Sequence, residues 1–292
     1  MSTHYRFVVS CGEKGIKLLT FLREKLPPLY SVKALKRAID GKQCRINEKI
    51  ERFSTSSLRE GDEVALLICK EKPAPEIDIL FEDEHLLICN KPAMVLSEER
   101  FFTHLSPGLK LVHRLDKETS GTLILAKERS VLESMTHLFV EKKIAKNYYA
   151  LVAGEVKKKR GEIKSWLYRK KKVGGQVFWS SSPLKKGLEA HTRWQVIEAR
   201  PKGSLLLCQP VTGKTHQLRV HLSEMEHPLI GDIQYGKERA DCFGILRQML
   251  HAYSISFVHP VKKTRMEVIA PFPADFLHAL APLKIKPPCD RF

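Results

Sequence analysis

A polar loop at residues 112–121, VHRLDKETSG, contains the first residue that could do chemistry, Asp116. Its Thr and Ser residues can bond nearby backbone amides and its glycine can adopt angles that other residues avoid, so the segment predicts a stiff turn. A carboxylate on a stiff loop can act as a nucleophile or a base, but in a partly desolvated pocket it needs a positive neighbour to stay ionised. Arginine suits that role because its planar fork meets a carboxylate in two places. Asp116 can therefore form the turn and carry the chemistry at once.

Other polar groups in the sequence do not match a known catalytic pattern. The Gly-Lys-Thr at residues 213–215 lacks the glycine that a phosphate-binding loop requires five residues earlier, where Cys208 stands. His216, His221 and His227 are spaced by five and six residues, which does not align them on one helical face, and no H-E-x-x-H pair accompanies them. A G-x-S-x-G nucleophile elbow is absent from the sequence. These patterns predict neither a nucleoside triphosphatase nor a metal site nor a serine hydrolase.

The charge of the chain favours a polyanionic partner. Its 292 residues include 50 Lys and Arg against 33 Asp and Glu, a formal net charge of +17. Nucleic acid is favoured over a membrane surface, because no basic amphipathic helix stands out and no run of eighteen apolar residues could span a membrane. No signal-peptide core is found, and the seven cysteines are dispersed without a C-x-x-C pair, which is typical of reduced thiols. We therefore expect a cytoplasmic protein with no membrane association.

A proline-containing polar segment suggests two domains. KEKPAPEI, at residues 70–77, has the composition of a linker and predicts a division into residues 1–72 and residues 73–292. In the first part, GIKLLTFLREKL has apolar residues at helical spacing, and VKALKRAID predicts a second helix that stops at Gly41. QCRINEKIERF then predicts a hairpin and GDEVALLI a closing strand.

The second predicted helix carries three bases at its polar positions, Lys33, Lys36 and Arg37. Two short helices followed by a small sheet resemble the alpha-L RNA-binding motif that is found in a small-subunit ribosomal protein and in several RNA enzymes. That resemblance implies that the three bases contact RNA. Lysines on a helix are also common on solvated faces without any ligand, and the sequence does not separate these two interpretations.

Residues 73–292 predict short strands with few helices. Apolar runs indicate strands in IDILFEDEHLLICNKP, GTLILAK and AKNYYALVAG, while ERSVLESMTHLFVEKK has helical spacing. SLLLCQPVTGKTHQLRVHL predicts a strand, a turn and then a strand or helix, and HPLIGDIQYG predicts a loop. Two basic runs, 157–160 and 169–172, are interleaved with the aromatic residues Trp166, Tyr168, Phe178 and Trp179. This pattern fits stacking and phosphate contact on irregular RNA, or an exposed hairpin with ordinary cross-strand aromatics.

Five segments occur together in one order: NKPAMVL, VHRLDKETSGTLILAK, KNYYALVAGE, VTGKTHQLRVHLSEMEHPLIGDIQYG and LHAYSISFVHP. They resemble the RNA pseudouridine synthases of the RluA type, which isomerise selected uridines in ribosomal and transfer RNA. The resemblance covers about residues 78–275. It implies an α+β fold, with a catalytic domain on a mixed, mostly antiparallel sheet that is preceded by a small α+β alpha-L RNA-binding domain.

The resemblance also implies roles for individual residues. Asp116, in HRLD, would be the nucleophile, and Arg219, in THQLRVH, would pair with it. Tyr148, the first tyrosine of KNYYALV, would stack on the target base. Arg114 would hold the looped-out RNA backbone, and Leu250, in LHA, would line the pocket.

One segment departs from the family pattern. Family members often read K-P-x-G followed by a Val-His-Pro stretch, whereas Met94 stands at the glycine position here and the segment 94–111 before HRLD is short. The departure bears on which RNA is chosen more than on the chemistry, because the catalytic motifs are intact.

The predicted function is isomerisation of specific uridines in structured RNA, with ribosomal RNA favoured over transfer RNA. The reaction needs no redox step, energy input or metal, so we expect no cofactor, and no obligate protein partner is evident. A different class remains open: a non-catalytic RNA-binding or ribosome-assembly factor on the same fold would share the basic surface. It would have no need of the complete set Asp116, Tyr148 and Arg219.

Overall fold

In the computed structural model, the described residues are 2–26, 30, 32–41, 43–69, 76–173, 176–182, 184–236, 245 and 247–288. The chain divides into two compact units, Met1–Ala74 and Pro75–Phe292. The division predicted after residue 72 lies close to this boundary, and residues 70–75 of the predicted linker lie outside the described residues.

The first unit combines two short helices with a small antiparallel sheet. Its elements are β1 (Ser2–Val8), α1 (Leu18–Lys25), α2 (Val32–Asp40), β2 (Cys44–Ile46), β3 (Lys49–Glu51) and β4 (Glu63–Cys69). The four described strands are ordered β1-β4-β2-β3. Phe21, Leu22 and Ile39 are fully buried between the helices and the sheet. Strand β1 was missing from the sequence prediction, because a short strand of mixed polarity is stabilised here by pairing with β4, more than fifty residues away.

The second unit is built on one mixed sheet. Its strands are β5 (Asp78–Glu82), β6 (Leu86–Lys91), β7 (Lys110–Leu111), β8 (Ser120–Ala126), β9 (Ala145–Ala153), β10 (Arg160–Val173), β11 (Gln176–Ser182), β12 (Leu188–Arg200), β13 (Gly203–Pro210), β14 (Leu250–Val258) and β15 (Arg265–Ile269). Its helices are α3 (Arg129–Val140), α4 (Gln217–Glu224) and α5 (Ala274–Leu280).

The strand order is β11-β10-β12-β13-β9-β14-β8-β6-β5, with β7 beside β8 and β15 beside β14. Among the described residues, β8 with β14 is the single parallel pair, and the other strand pairs are antiparallel. The predicted α+β fold with a mixed, mostly antiparallel sheet is therefore confirmed. The strand-or-helix alternative for THQLRVHL resolves as the helix α4, and the predicted basic hairpin is formed by β10 and β11.

Both faces of the central strands are covered by helices. Along β9, Tyr149 and Leu151 pack with Phe276 of α5, while Ala150 and Val152 point to the opposite face and pack in the cluster that includes α4. Side chains alternate between the faces of a strand, so a strand buried on both sides must be apolar throughout. This explains the continuous apolar run in AKNYYALVAG, and each fully buried large side chain contributes roughly 1.5–3 kcal/mol.

Within the described ranges, no helix has the length and apolar character that crossing a membrane would require.

The loop 112–121 is joined to β14 by a very close backbone approach. Gly121 has φ +115°, and a Cβ atom built there would lie 2.2 Å from the carbonyl oxygen of Ala252. Ser120 Oγ lies 2.9 Å from His251 Nδ1, and Thr122 Oγ1 donates to the Ala252 carbonyl at 3.2 Å. Glycine is therefore required where the loop enters β8.

We expect Gly121→Ala to destabilise the second unit by about 2–5 kcal/mol, from a left-handed-backbone cost of roughly 1–2 kcal/mol and an overpacking cost of roughly 1–3 kcal/mol. The measurement is urea unfolding followed by tryptophan fluorescence, since all three tryptophans lie after residue 75. The control is Gly213→Ala, whose added Cβ would meet only Lys146 Nζ, at 3.6 Å. Equal midpoints for the two variants would contradict the close-approach argument.

Candidate active site

Asp116 lies on a short loop that its neighbours hold in place. Its backbone carbonyl accepts the Thr119 amide at 3.1 Å, and Ser97 Oγ exchanges hydrogen bonds with the backbone of Leu115 at 2.9 and 3.0 Å. The Asp116 side chain is 25% exposed, and Arg114, two residues earlier, is exposed. The carboxylate is thus displayed from a fixed backbone.

A fully buried lysine, Lys91 at the end of β6, supports this loop from below. Its ammonium donates to three backbone carbonyls, those of Pro92 at 2.8 Å, Val95 at 2.9 Å and Lys117 at 3.2 Å. Burial, helped by the Arg247 cation, lowers the pKa of Lys91 to about 7, although Asp116 opposes the shift. Lys91 thereby ties the loop after β6 to the residue that follows Asp116. Sequence reasoning missed it, although a lysine that directly ends an apolar strand was a signal.

Met94, at the departure from the family pattern, has a left-handed backbone with φ 69° and is 54% exposed. Glycine adopts this conformation without cost, whereas a side chain makes it strained. The backbone here has kept the conformation that the family glycine would favour. The carbonyl of the next residue, Val95, is one of the three that Lys91 holds.

Arg219 of α4 points at Asp116 but is held chiefly by another carboxylate. Its Nε and Nη2 donate to Asp232 Oδ2 and Oδ1 at 2.8 and 2.9 Å, and Nη2 also donates to Gln234 Oε1 at 3.0 Å. Nη1 lies 3.6 Å from Asp116 Oδ2. The pairing with Asp116 that the sequence predicted is therefore the longer of two ion pairs. Burial disfavours the charge, but the bonds to Asp232 outweigh it and the pKa of Arg219 is raised.

Two further residues near the carboxylate were missed by sequence reasoning as participants, His216 and Tyr235. His216 Nε2 lies 3.9 Å from Asp116 Oδ1, and Nδ1 lies 2.8 Å from the Tyr235 hydroxyl. The Tyr235 ring lies under Arg219, 4.9 Å from its guanidinium carbon. Burial lowers the pKa of the His216 imidazole, although Asp116 opposes it. The motifs TGKTHQLR and GDIQYG were noticed, but only the fold brings these two side chains together.

The three histidines considered for metal binding have separate partners. His221 lies 2.9 Å from both Ser165 Oγ and Thr192 Oγ1, and His227 Nδ1 lies 2.9 Å from the Ala153 carbonyl. In the part of the chain that is described, no group of three or more His, Cys, Asp or Glu is placed to hold a metal ion.

Tyr148 and Leu250 lie beside this group on adjacent strands. Tyr148 of β9 is half-buried and pairs across the sheet with Ala252 of β14, which in turn pairs with Gly121 at the end of the Asp116 loop. Burial first, and then the negative charge of Asp116, raise the pKa of the Tyr148 phenol well above its usual range, so it stays protonated. Leu250 is only 4% exposed and packs in the same cluster as Tyr148.

The far side of the loop is anchored by Arg247, which was also missed by sequence reasoning. Its guanidinium forms two bonds to Asp275 at 2.6 and 2.8 Å and donates to the Glu118 carbonyl at 3.0 Å. The neighbouring Gln248 donates to Thr119 Oγ1 at 2.9 Å. Residues 118–119 are thus held against the segment that leads into β14.

The predicted RNA-contacting bases of the first unit lie on α2. Lys36 is exposed, and the side chains of Lys33 and Arg37 are outside the described part of the structure. Their contact with RNA therefore stays a prediction.

We expect Asp232→Asn to cost about 3–5 kcal/mol of unfolding free energy, because it strands the buried Arg219 cation. The matched change Asp116→Asn should cost less than about 1 kcal/mol, since that pair is longer and partly exposed. Urea unfolding followed by tryptophan fluorescence measures both. Equal costs for the two variants would contradict the conclusion that Asp232 is the main partner of Arg219.

The segment that carries the candidate active site matches a known protein family. Residues 85–224 match the family model for RNA pseudouridylate synthase, and this range includes Asp116, Tyr148 and Arg219. The chain is 33% identical to ribosomal large subunit pseudouridine synthase C of Vibrio cholerae, over 92% of this chain and 94% of that protein. It is 30% identical to the protein of the same name from Haemophilus ducreyi, over 95% of each chain.

The fold agrees as well. The solved structure of human RNA pseudouridylate synthase domain containing 1 superposes with a TM-score of 0.61 at 28% identity, and covers 70% of this chain and 87% of that one. With these relatives matched over nearly their full length, the resemblance seen in the motifs is confirmed: the chain belongs to the RNA pseudouridine synthase family.

Proposed function

We propose that this RNA pseudouridine synthase isomerises uridines of large-subunit ribosomal RNA and that Asp116 is its nucleophile. The RNA class is supported by the names of the bacterial relatives, which are ribosomal large subunit pseudouridine synthases. The observation that carries the assignment of Asp116 is its carboxylate, which faces Arg219 at 3.6 Å and His216 at 3.9 Å. Transfer RNA is the competing substrate class, and the cytoplasm is the expected location.

The reaction breaks the bond between N1 of uracil and C1′ of ribose, turns the base and joins C5 to C1′. The proton on C5 is lost and N1 ends with a proton, so the product is an isomer and no electrons are exchanged. The enzyme therefore needs a free carboxylate at the sugar and a surface that holds the base while it turns. Addition of Asp116 to the sugar and removal of a sugar proton both require such a carboxylate.

A comparison of two carboxylates in the same cluster supports Asp116, rather than Asp232, as the reacting group. Asp232 is 1% exposed and uses both oxygens, since Arg219 binds each and Oδ1 also accepts the amides of Gln234 and Tyr235 at 3.0 and 3.1 Å. Among the residues that the structure describes, the Arg219 and His216 side chains lie 3.6 and 3.9 Å from the Asp116 carboxylate, beyond the hydrogen-bond range of about 2.7–3.2 Å. Asp232 is saturated and structural, whereas the lone pairs of Asp116 remain available to a substrate.

Tyr148 is proposed to stack on the target uracil. A base stacked on an aromatic ring gains roughly 1–3 kcal/mol, and the contact tolerates the rotation that the base must make. The phenol stays protonated because its pKa is raised by burial and by Asp116. Leu250, packed beside Tyr148, would complete the apolar wall. Flipping a uridine out of its stack costs a few kcal/mol, and the exposed Arg114 is positioned in sequence to hold the displaced backbone.

RNA binding is proposed to use basic surfaces of both units. The first unit offers Lys33, Lys36 and Arg37 on α2, which would contact phosphates without reading sequence. The second offers the runs 157–160 and 169–172, and on the β10–β11 hairpin Lys171 Nζ lies 5.2 Å from the Phe178 ring centre. A lysine beside an aromatic ring can contact the phosphates and bases of single-stranded RNA. The cation–π contact between the two side chains also stabilises the hairpin without any RNA.

We expect Asp116→Asn to abolish isomerisation while leaving RNA affinity intact. Isomerisation replaces the hydrogen on C5, so a large-subunit ribosomal RNA transcript labelled with [5-³H]uridine releases tritium to water in proportion to product. The asparagine keeps the shape of the side chain but removes the nucleophile, and tritium release should fall to background.

The matched control is Asp78→Asn, which removes an exposed carboxylate on β5 and should leave the rate unchanged. Tritium release by Asp116→Asn would contradict the assignment of the nucleophile. Tight RNA binding by the wild-type protein without tritium release would favour the alternative, a non-catalytic RNA-binding factor.

We expect the first unit to supply affinity rather than chemistry. A protein of residues 75–292, which carries Asp116, Tyr148 and Arg219, should fold and isomerise a short RNA containing the target at high concentration. On the full-length transcript it should bind more weakly than the whole chain, because two linked surfaces bind with greater avidity than one. Filter binding and tritium release on both RNAs make the comparison, and equal affinity on the long RNA would contradict this role.

A further inference from the structure

Strand β11 occupies one end of the described sheet, and its outer edge is bonded by side chains instead of by another strand. The Val177 carbonyl accepts Gln234 Nε2 at 2.9 Å, and the Trp179 amide donates to the Tyr235 hydroxyl at 3.0 Å. Residues 177 and 179 present their backbone groups to the same edge, because alternate residues of a strand are equivalent. The side chains of Gln234 and Tyr235, consecutive in the loop 232–236, are thus both hydrogen-bonded to the backbone of β11.

The first of these side chains, Gln234, bonds Arg219, and Arg219 faces one oxygen of Asp116. Gln234 Oε1 accepts a hydrogen bond from Arg219 Nη2 at 3.0 Å, while its amide is anchored on Val177. Arg219 then presents Nη1 to Asp116 Oδ2 at 3.6 Å.

The second side chain, Tyr235, contacts His216, whose ring faces the other oxygen of Asp116. Because the Tyr235 oxygen already accepts the Trp179 amide, donation of the phenol proton to His216 Nδ1, 2.8 Å away, uses both the donor and the acceptor of the hydroxyl and favours one tautomer. A neutral imidazole that accepts at Nδ1 carries its proton on Nε2. That N–H is the group 3.9 Å from Asp116 Oδ1. If Nδ1 were protonated instead, a lone pair on Nε2 would face the carboxylate and repel it.

The backbone of His216 is consistent with a demanding position. It has φ 57°, in the left-handed region, and stands immediately before the first residue of α4. Non-glycine residues in this conformation are strained and tend to be kept where function requires the geometry. Tyr235 also packs edge-on against the His216 ring, with centres 5.6 Å apart, so the ring is held by contact as well as by its hydrogen bond.

We propose that His216 and Tyr235 are positioning residues for Asp116: Tyr235 holds His216 in the tautomer whose Nε2–H faces Oδ1, while Arg219 faces Oδ2. The two groups together set the rotation of the carboxylate about its Cβ–Cγ bond, which decides where its lone pairs point. A nucleophile gains rate from such orientation before the substrate arrives. This inference rests on the proposed role of Asp116 as nucleophile.

The central experiment is Tyr235→Phe, which removes the hydroxyl but keeps the ring under Arg219 and against His216. Single-turnover tritium release from the [5-³H]uridine-labelled ribosomal RNA transcript should slow by roughly 10–100-fold, the loss seen when the hydrogen-bond partner that orients a metal-bound histidine is removed. The RNA dissociation constant should stay unchanged. A wild-type rate for Tyr235→Phe, with Asp116→Asn inactive, would overturn this inference and leave the proposed function intact.

Repeating Tyr235→Phe in a His216→Gln protein tests whether the Tyr235 hydroxyl acts through the tautomer of His216. His216→Gln presents an amide N–H near the place of Nε2–H without needing a tautomer, so it should retain much of the rate, whereas His216→Leu should not. Adding Tyr235→Phe to His216→Gln should then cost little. The same loss from Tyr235→Phe in both backgrounds would show that the hydroxyl acts otherwise, and would overturn the inference.

A direct measurement on the wild-type protein requires neither RNA nor an activity assay. Selective ¹⁵N-histidine labelling of the wild-type protein distinguishes an unprotonated ring nitrogen from a protonated one. Nδ1 of His216 should be unprotonated and Nε2 protonated at neutral pH, with the signal assigned by its absence from His216→Gln. A protonated Nδ1 would overturn the proposal, whereas activity in Asp116→Asn would instead remove the proposed function on which it rests.

Discussion

The arrangement of the site depends on the buried ion pair between Arg219 and Asp232. Burying either charge alone would cost several kcal/mol, and the cost is offset only if the partner and further donors satisfy both groups. Asp232 meets this condition by accepting two bonds from Arg219 and the amides of Gln234 and Tyr235. One carboxylate therefore fixes the direction of the arginine and the shape of the turn that follows it.

The position of this turn is set by a second close approach. Gly231 has φ 78°, and a Cβ atom there would lie 2.0 Å from the carbonyl oxygen of Arg247. Arg247 in turn holds the Glu118 carbonyl at 3.0 Å, in the loop that carries Asp116. The turn with Asp232 and the loop with Asp116 are thus anchored to the same short segment before β14. A shift of that segment would move Asp116 and Arg219 together.

Lys91 and Asp116 are on opposite sides of a division of tasks, because the lysine holds the loop and the aspartate carries the accessible carboxylate. Beneath the loop, Lys91 has its three ammonium hydrogens matched by three carbonyls, and burial lowers its pKa to about 7. Above it, Asp116 is partly exposed and its neighbours stay beyond hydrogen-bond distance. The hydrogen bonds of Lys91 fix the backbone of the loop, while the carboxylate of Asp116 keeps lone pairs without a hydrogen-bond donor among the described residues. Asp116 is therefore held in place with a carboxylate that a substrate can reach.

The sequence by itself predicted strands β5, β6, β8, β9 and β13 from apolar runs, because such patterns are local. Its motifs, through their resemblance to a known family, implied the class of fold and the candidates Asp116, Tyr148 and Arg219. It left α4 open between strand and helix, and it missed β1, β7, β12, β14, β15 and α5. The missed strands are stabilised by pairing with other strands, which the local sequence does not show. It implied the pair of Arg219 with Asp116 but not the shorter pair with Asp232, which lies thirteen residues further on in a loop without periodicity.

Only the tertiary structure decided how the candidates are supported. Arg247 bonds a carbonyl 129 residues earlier in the chain, and Trp179 bonds a hydroxyl 56 residues later. Lys91, His216 and Tyr235 are ordinary polar residues in sequence, and they acquire roles because folding buries them beside one carboxylate. Burial changes the energy of a charge or a tautomer through every group around it. That environment is a property of the packed chain and is absent from any single segment.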